Sequence, residues 1–243
     1  MYLIKLRPDQ LVKAVSENTP VIISAGSIEY HGPHLPIGTD FLIADSIIEA
    51  VEKRIPNGCV VAPPLPFSST MNWAGSSADG DIDFSPEALY IYAREIFAQL
   101  VSVGFKRIYV LQHHQGPEGV PSLTLRKAAA EVLRNTTKAW GHSWGRKDPD
   151  DLPNPDIFAL IRIAYLDTFS DFPGQVPVGH GGKGETQLIM AGYPETVDMN
   201  MLAAWESKLP EWLLDADQAT YEEGKRWLDL CINGWVKELS DKT

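Results

Sequence analysis

Glu29, His31, His34 and Asp40, all side chains that bind metal ions well, fall within Ser27–Asp40, SIEYHGPHLPIGTD. The apolar run Val21–Ala25 just before them predicts a buried strand ending at Gly26. Loops at strand ends are where α/β sheets build their sites. Glu29 and His31 are two apart, so on extended backbone they point the same way, with Cα atoms roughly 6–7 Å apart. That spacing predicts two ligands gripping neighbouring ions rather than touching each other. Asp40 follows at the mouth of a helix, and Gly32, Pro33, Pro36 and Gly38 favour a loop that folds back. Asp40 can therefore return as a carboxylate shared between ions. Zn²⁺ and Mn²⁺ both accept this mixture of imidazole and carboxylate. Taken singly, Glu29 reads as a helix cap and the histidines as loop residues. Clustered at a strand end they read as a site, with only His34 kept as a loop-ordering residue.

Two further polar clusters follow apolar runs. Ile108–Leu111 leads into Gln112-His113-His114-Gln115-Gly116, and Ile161–Tyr165 leads through a Gly/Pro loop to GHGGKGET at 179–186, which carries His180 and Glu185. The polar loop 65–84 is of a length that is often functional, and its Trp73 is a candidate substrate contact.

The elements that position these clusters alternate. Helices are predicted over 8–17, from Phe41 to Ile55, from the Ser85 cap to Gly104, over 122–134 and from Glu185 to Met190. Strands are predicted at 20–25, 59–62, 108–111 and 161–165. The stretch from Leu202 to Leu239 reads as mostly helical, with Trp205, Trp212, Trp227 and Trp235 as packing or interface residues. Alternating strands and helices predict a three-layer α/β/α domain with a mostly parallel central sheet. No linker splits the chain, so one domain over 1–243 is expected.

With 243 residues, 44% hydrophobic and 22% charged, the composition is that of an ordinary globular protein. A net charge of −11 argues against nucleic acid or an anionic membrane as partner. Two distant cysteines, Cys59 and Cys231, make no disulfide framework, and no signal-like or membrane-spanning run is present. A cytoplasmic location is expected. No G-x-S-x-G elbow or Walker lysine pattern points to serine hydrolysis or nucleotide chemistry.

Ser27–Asp40 resembles the signature of the creatininase family, Glu-x-His-Gly-x-His-Leu-Pro-x-x-x-Asp. HHQG at 113–116 and GHGGKGET at 179–186 match its later motifs in order and approximate spacing, and the likeness covers about residues 15–200. The resemblance implies a creatininase-like fold and a metal-dependent hydrolase with two divalent ions, Zn or Mn, with Fe as a further option. It implies Glu29 and His114 on one ion, His31 on the other, Asp40 across both, and His180 as the catalytic histidine. A metal-activated water would attack a cyclic amide or related C–N bond. Relatives also deformylate formylamino-pyrimidines or hydrolyse an oxidised inositol ring, and they act on small molecules as homo-oligomers, often hexamers. This chain departs from creatininase at Gly116, where a glutamate would stand, leaving the ion at His31 one ligand short. Glu185 is expected to approach that gap, with water as the competitor and Glu118 as a weaker candidate. His113 stands where glycine is usual and is assigned to outer support or substrate contact. A non-catalytic ligand-binding protein is the rival reading.

Overall fold

The computed structural model describes residues 1–205 and 207–241; position 206, inside the stretch expected to be helical, lies outside them, as do the last two residues of the expected domain. Strands β1 (Val21–Ala25), β2 (Val60–Val61), β3 (Ile108–Gln112) and β4 (Ile161–Ala164) form a parallel sheet in the order β2-β1-β3-β4. β1 and β3 pair in register from Val21–Ile108 to Ala25–Gln112, so both strands end at one level. β4 stops beside them, with Ala164 paired to Leu111. The loops that carry the three polar clusters therefore leave one edge of the sheet.

The helices are α1 (Pro8–Ser16), α2 (Thr39–Arg54), α3 (Pro86–Val103), α4 (Val120–Ala139), α5 (Lys183–Gly192), α6 (Met199–Ala203) and α7 (Tyr221–Ser240). Because side chains alternate along a strand, β1 and β3 feed two cores. Ile22, Tyr109 and Leu111 pack with Ile47 of α2, Ile189 of α5 and Trp235 of α7. Val21, Ile23 and Val110 pack with Ala14 of α1, Phe97 of α3 and Leu125 of α4. Strands apolar on both faces and helices above and below make the expected three layers.

Local chemistry explains most boundaries. Ser85 caps α3 by accepting from the Ala88 N–H at 3.2 Å, and Gly104, at φ 114°, closes it. Pro63 and Pro64 hold β2 to two residues. The C-terminal stretch is mostly helical, as expected, but interrupted: α6 ends at Ala203, single 3₁₀ turns follow at Glu211–Leu213 and Ala216–Gln218, and α7 starts at Tyr221. Pro210 disfavours helix at the residue before it, and the chain turns there. No described helix is long and apolar enough to cross a membrane.

One close approach fixes the first cluster. Gly26, just past β1, lies against the opening of α2, where an added Cβ would sit 2.5 Å from the Phe41 nitrogen and 2.8 Å from the Asp40 carbonyl carbon. Only glycine lets the first turn of α2 lie on the end of β1. Asp40 is thereby inside the helix, in its first turn, and not ahead of it.

Candidate metal centre

Glu29, His31, Asp40, His114 and Glu185 come together, all buried, at the sheet edge. The loop after β1 supplies Glu29 and His31, α2 supplies Asp40, the residues after β3 supply His114, and the first turn of α5 supplies Glu185. The segment carrying Glu29 and His31 is not extended strand, and the two side chains approach more closely than strand spacing predicts: His31 Nε2 is 3.7 Å from Glu29 Oε1.

Hydrogen bonds at the outer nitrogens set the histidine tautomers. His31 Nδ1 faces the Glu29 carbonyl at 3.0 Å, and His114 Nε2 faces the Ser69 carbonyl at 3.0 Å. A carbonyl only accepts, so each of these nitrogens carries the proton. The opposite nitrogens then point their lone pairs at carboxylates. His31 Nε2, which makes no hydrogen bond, lies 3.3 Å from Asp40 Oδ1 and 3.5 Å from Glu185 Oε2. His114 Nδ1 lies 2.8 Å from Asp40 Oδ2 and 3.2 Å from Glu29 Oε1. Buried lone pairs facing carboxylates repel unless positive charge lies between them. Backbone carbonyls that orient imidazoles from behind are the usual support of metal-binding histidines.

The ligand atoms of Glu29, Asp40 and His114 lie within 4.8 Å of one another, as do those of His31, Asp40 and Glu185, and those of Glu29, His31 and His180. Asp40 thus offers one oxygen to each of two sets. Ser27 donates its hydroxyl to Asp40 Oδ2 and steadies it. The donor set fits divalent cations.

Protonation follows the same geometry. Burial opposes charge on both metal-facing histidines, but Asp40 overrides it, raising His114 well above its usual range and His31, with help from Glu185 and Glu29, to about 10. Burial likewise opposes ionisation of Asp40, yet His31 and His114 hold its carboxyl well below the usual range. Burial pushes Glu29 up. A histidine raised from about 6.5 to about 10 contributes stability that is complete below pH 6.5 and is lost as pH rises through 10. Asp40, already ionised, adds no change over that window. In chelator, the melting temperature should therefore fall between pH 7 and pH 10, and Mn²⁺ or Zn²⁺ should restore it most at the alkaline end. A melting temperature flat across that range would contradict this coupling.

His180 Nε2 donates to the Tyr30 carbonyl at 2.7 Å, leaving Nδ1 unprotonated 3.5 Å from Glu29 Oε1. Burial, then His31, lowers its pKa to about 4, so it is neutral at pH 7. Its ring stacks on His31 at 4.1 Å and meets the rings of Trp73 at 5.1 Å and Trp212 at 4.9 Å. Trp212, expected to serve packing, thus borders the site. Trp73 is 63% exposed at the cavity rim. His113 is buried behind Glu185, with Nε2 3.1 Å from Oε1, and is not on the cavity wall. Glu185 is held from both sides, because the Gly181 N–H donates to Oε2 at 2.8 Å. His34 binds the Thr186 hydroxyl at 2.9 Å and orders the loop. Glu118 is exposed, paired with Arg126 at 3.6 Å, and takes no part. Gly116, at φ 70°, lines the cavity with nothing within 4 Å of where a Cβ would stand.

Sequence reasoning missed Ser27, the Ser69 carbonyl and Tyr165. Tyr165 follows β4, lines the cavity and packs its ring 5.2 Å from that of His113. Its position directly after a strand beside His114 was the available signal. The cavity above the cluster measures about 730 Å³.

The family profile described as creatininase, creatinine amidohydrolase, matches residues 5–239. Creatinine amidohydrolase of Pseudomonas putida is 23% identical over 91% of this chain and 89% of its own. The 3-dehydro-scyllo-inosose hydrolase of Thermotoga maritima is 25% identical over 80% of this chain and 58% of its own. The mycofactocin precursor peptide peptidase of Mycobacterium ulcerans is 30% identical over 51% of this chain and 52% of its own. A solved structure described as "Creatininase Mn" superposes with a TM-score of 0.75 at 20% identity, covering 98% of this chain and 96% of that one.

Proposed function

The chain belongs to the creatininase family and is a hydrolase, and from that premise we propose that it directs water onto a cyclic amide or related C–N bond with the help of two divalent ions, Mn or Zn. The observation that carries this reading is the pair of imidazole nitrogens, His31 Nε2 and His114 Nδ1, each facing a different oxygen of Asp40. Glu29, Asp40 and His114 would hold one ion, and His31, Asp40 and Glu185 the other. When bound, such ions supply a water that ionises near neutral pH and a Lewis acid for the carbonyl under attack.

The protein's own residues do the rest. His180, neutral and with its Nε2–H committed to the Tyr30 carbonyl, presents Nδ1 as a proton acceptor. It takes the proton of the attacking water there and returns it to the departing nitrogen. Trp73 and Trp212 hold its ring edge-on, so Nδ1 stays directed at the cluster. Burial of the ligands keeps bulk water from competing. His113 supports Glu185 from behind, its Nε2 3.1 Å from Oε1.

The test is turnover of the Mn- or Zn-loaded protein on a panel of cyclic amides, formamides and cyclic ketones. Hydrolysis of a C–N bond that disappears in chelator and returns with metal is the expected result. Turnover undiminished in chelator would refute the mechanism. Ring opening of a cyclic ketone alone would transfer the assignment to chemistry like that named for the T. maritima relative.

A further inference from the structure

We infer that the cavity selects an uncharged or cationic substrate with a ring or branched apolar group beside the scissile bond, and rejects one bearing a phosphate or carboxylate. This rests on the reading of the buried cluster as the hydrolytic centre. Among the described residues, the acids on the cavity wall are Glu29, Asp40, Asp167 and Glu185, and no lysine or arginine lines it. Two divalent ions would balance those four carboxylates and leave no positive charge for a second anionic group.

The start of α5 is also spoken for as an anion cradle. Phosphate and carboxylate ligands are held by Arg or Lys forks or by free N–H groups at a helix start. At the start of α5 the Gly181 N–H is taken by Glu185 and the Lys183 N–H by Asp215, at 2.8 and 2.9 Å. Lys183 lines a neighbouring groove that meets the cavity at Val178, Gly179 and His180, together with Glu211, Asp215 and Glu223. Asp167 is fixed on the wall, accepting from the Gly174 N–H at 2.7 Å and the Val176 N–H at 3.3 Å, so its charge cannot swing away.

Much of the rest of the wall is apolar, with Thr70, Gln115, Tyr165 and Thr168 as its uncharged polar members. Met71, Trp73, Pro117, Pro173, Val176 and Val178 line it. A volume of about 730 Å³ leaves room for a substituent well beyond the reacting amide. Trp73, exposed at the rim and braced edge-on by His180, offers a surface for a ring to stack upon.

Hydroxamic acids, which chelate divalent ions, test the inference without a known substrate. Mn-loaded protein would be titrated calorimetrically with benzohydroxamic acid, its 4-aminomethyl and 4-carboxy derivatives, and acetohydroxamic acid. The benzo and aminomethyl compounds are expected to bind at least about tenfold more tightly than the carboxy and aceto compounds. Trp73→Ala should erase the advantage of the benzo over the aceto compound while ion content stays unchanged. Equal or tighter binding of the carboxy derivative, no preference for the ring, or no binding of any hydroxamate to loaded protein would each overturn the inference. Elemental analysis beforehand separates the two readings: a protein that takes up no metal fails as a metal-dependent hydrolase, and the inference fails with it.

Discussion

Asp40→Asn is expected to leave the protein folded and to remove both its divalent ions and its metal-dependent turnover. Asparagine keeps the shape of the side chain, and the Ser27 hydroxyl can still donate to the remaining oxygen. What changes is charge. Asp40 sets one oxygen 3.3 Å from His31 Nε2 and the other 2.8 Å from His114 Nδ1. An amide has one acceptor and no charge, and its NH₂ group would turn toward one of the two imidazoles. Each set of ligands loses its shared anion at once. Ion content should fall from about two per chain to below one. The loss of turnover should exceed the ~10–100-fold that removing an outer support costs at metal sites. Elemental analysis after gel filtration, with circular dichroism as the control for folding, reads both effects. An Asp40→Asn protein that kept two ions and its turnover would sink the shared-carboxylate arrangement.

Gly26→Ala is expected to have the largest effect on stability. The new Cβ would stand 2.5 and 2.6 Å from the backbone nitrogen and Cα of Phe41. Backbone at the start of a helix cannot rotate aside as a side-chain tip can, so the first turn of α2 must retreat from β1. Overpacking of this kind costs on the order of 1–3 kcal/mol. The same retreat carries Asp40 away from His31 and His114. A lower melting temperature in chelator would report the packing cost together with the weakened pairing of Asp40 with His31 and His114. A weaker stabilisation on adding Mn²⁺ would report the displaced carboxylate. A melting temperature unchanged in both conditions would show that the contact does not position α2.

The site was legible where residue type and spacing carry the chemistry. Glu29, His31, Asp40, His114, His180 and Glu185 stood at predicted strand or helix ends, and the structure brings them to one sheet edge. The register of β1 and β3 explains why: strands that end level deliver their loops to the same place. The apolar runs of β1 and β3 and the capped α3 were legible for the same reason, since burial pattern and cap chemistry are local. Backbone groups were not legible. The carbonyls of Glu29 and Ser69 decide which nitrogen of each histidine faces the carboxylates, and every residue has a carbonyl. Trp212 was read as a packing or interface residue and does pack against Leu213 and Ala216. Its contact with His180 was not legible because it depends on a 3₁₀ turn after Pro210, a long-range arrangement with no periodic signal. Nor could spacing say that His113 would sit behind Glu185, because that pairing joins β3 to α5 across the core.

The account is tested most directly by anomalous diffraction from crystals grown with excess Mn²⁺. Two anomalous peaks are predicted, one among Glu29, Asp40 and His114 and one among His31, Asp40 and Glu185, with Asp40 turning one oxygen toward each. Manganese bound elsewhere, or those five side chains turned apart with no peak among them, would contradict it.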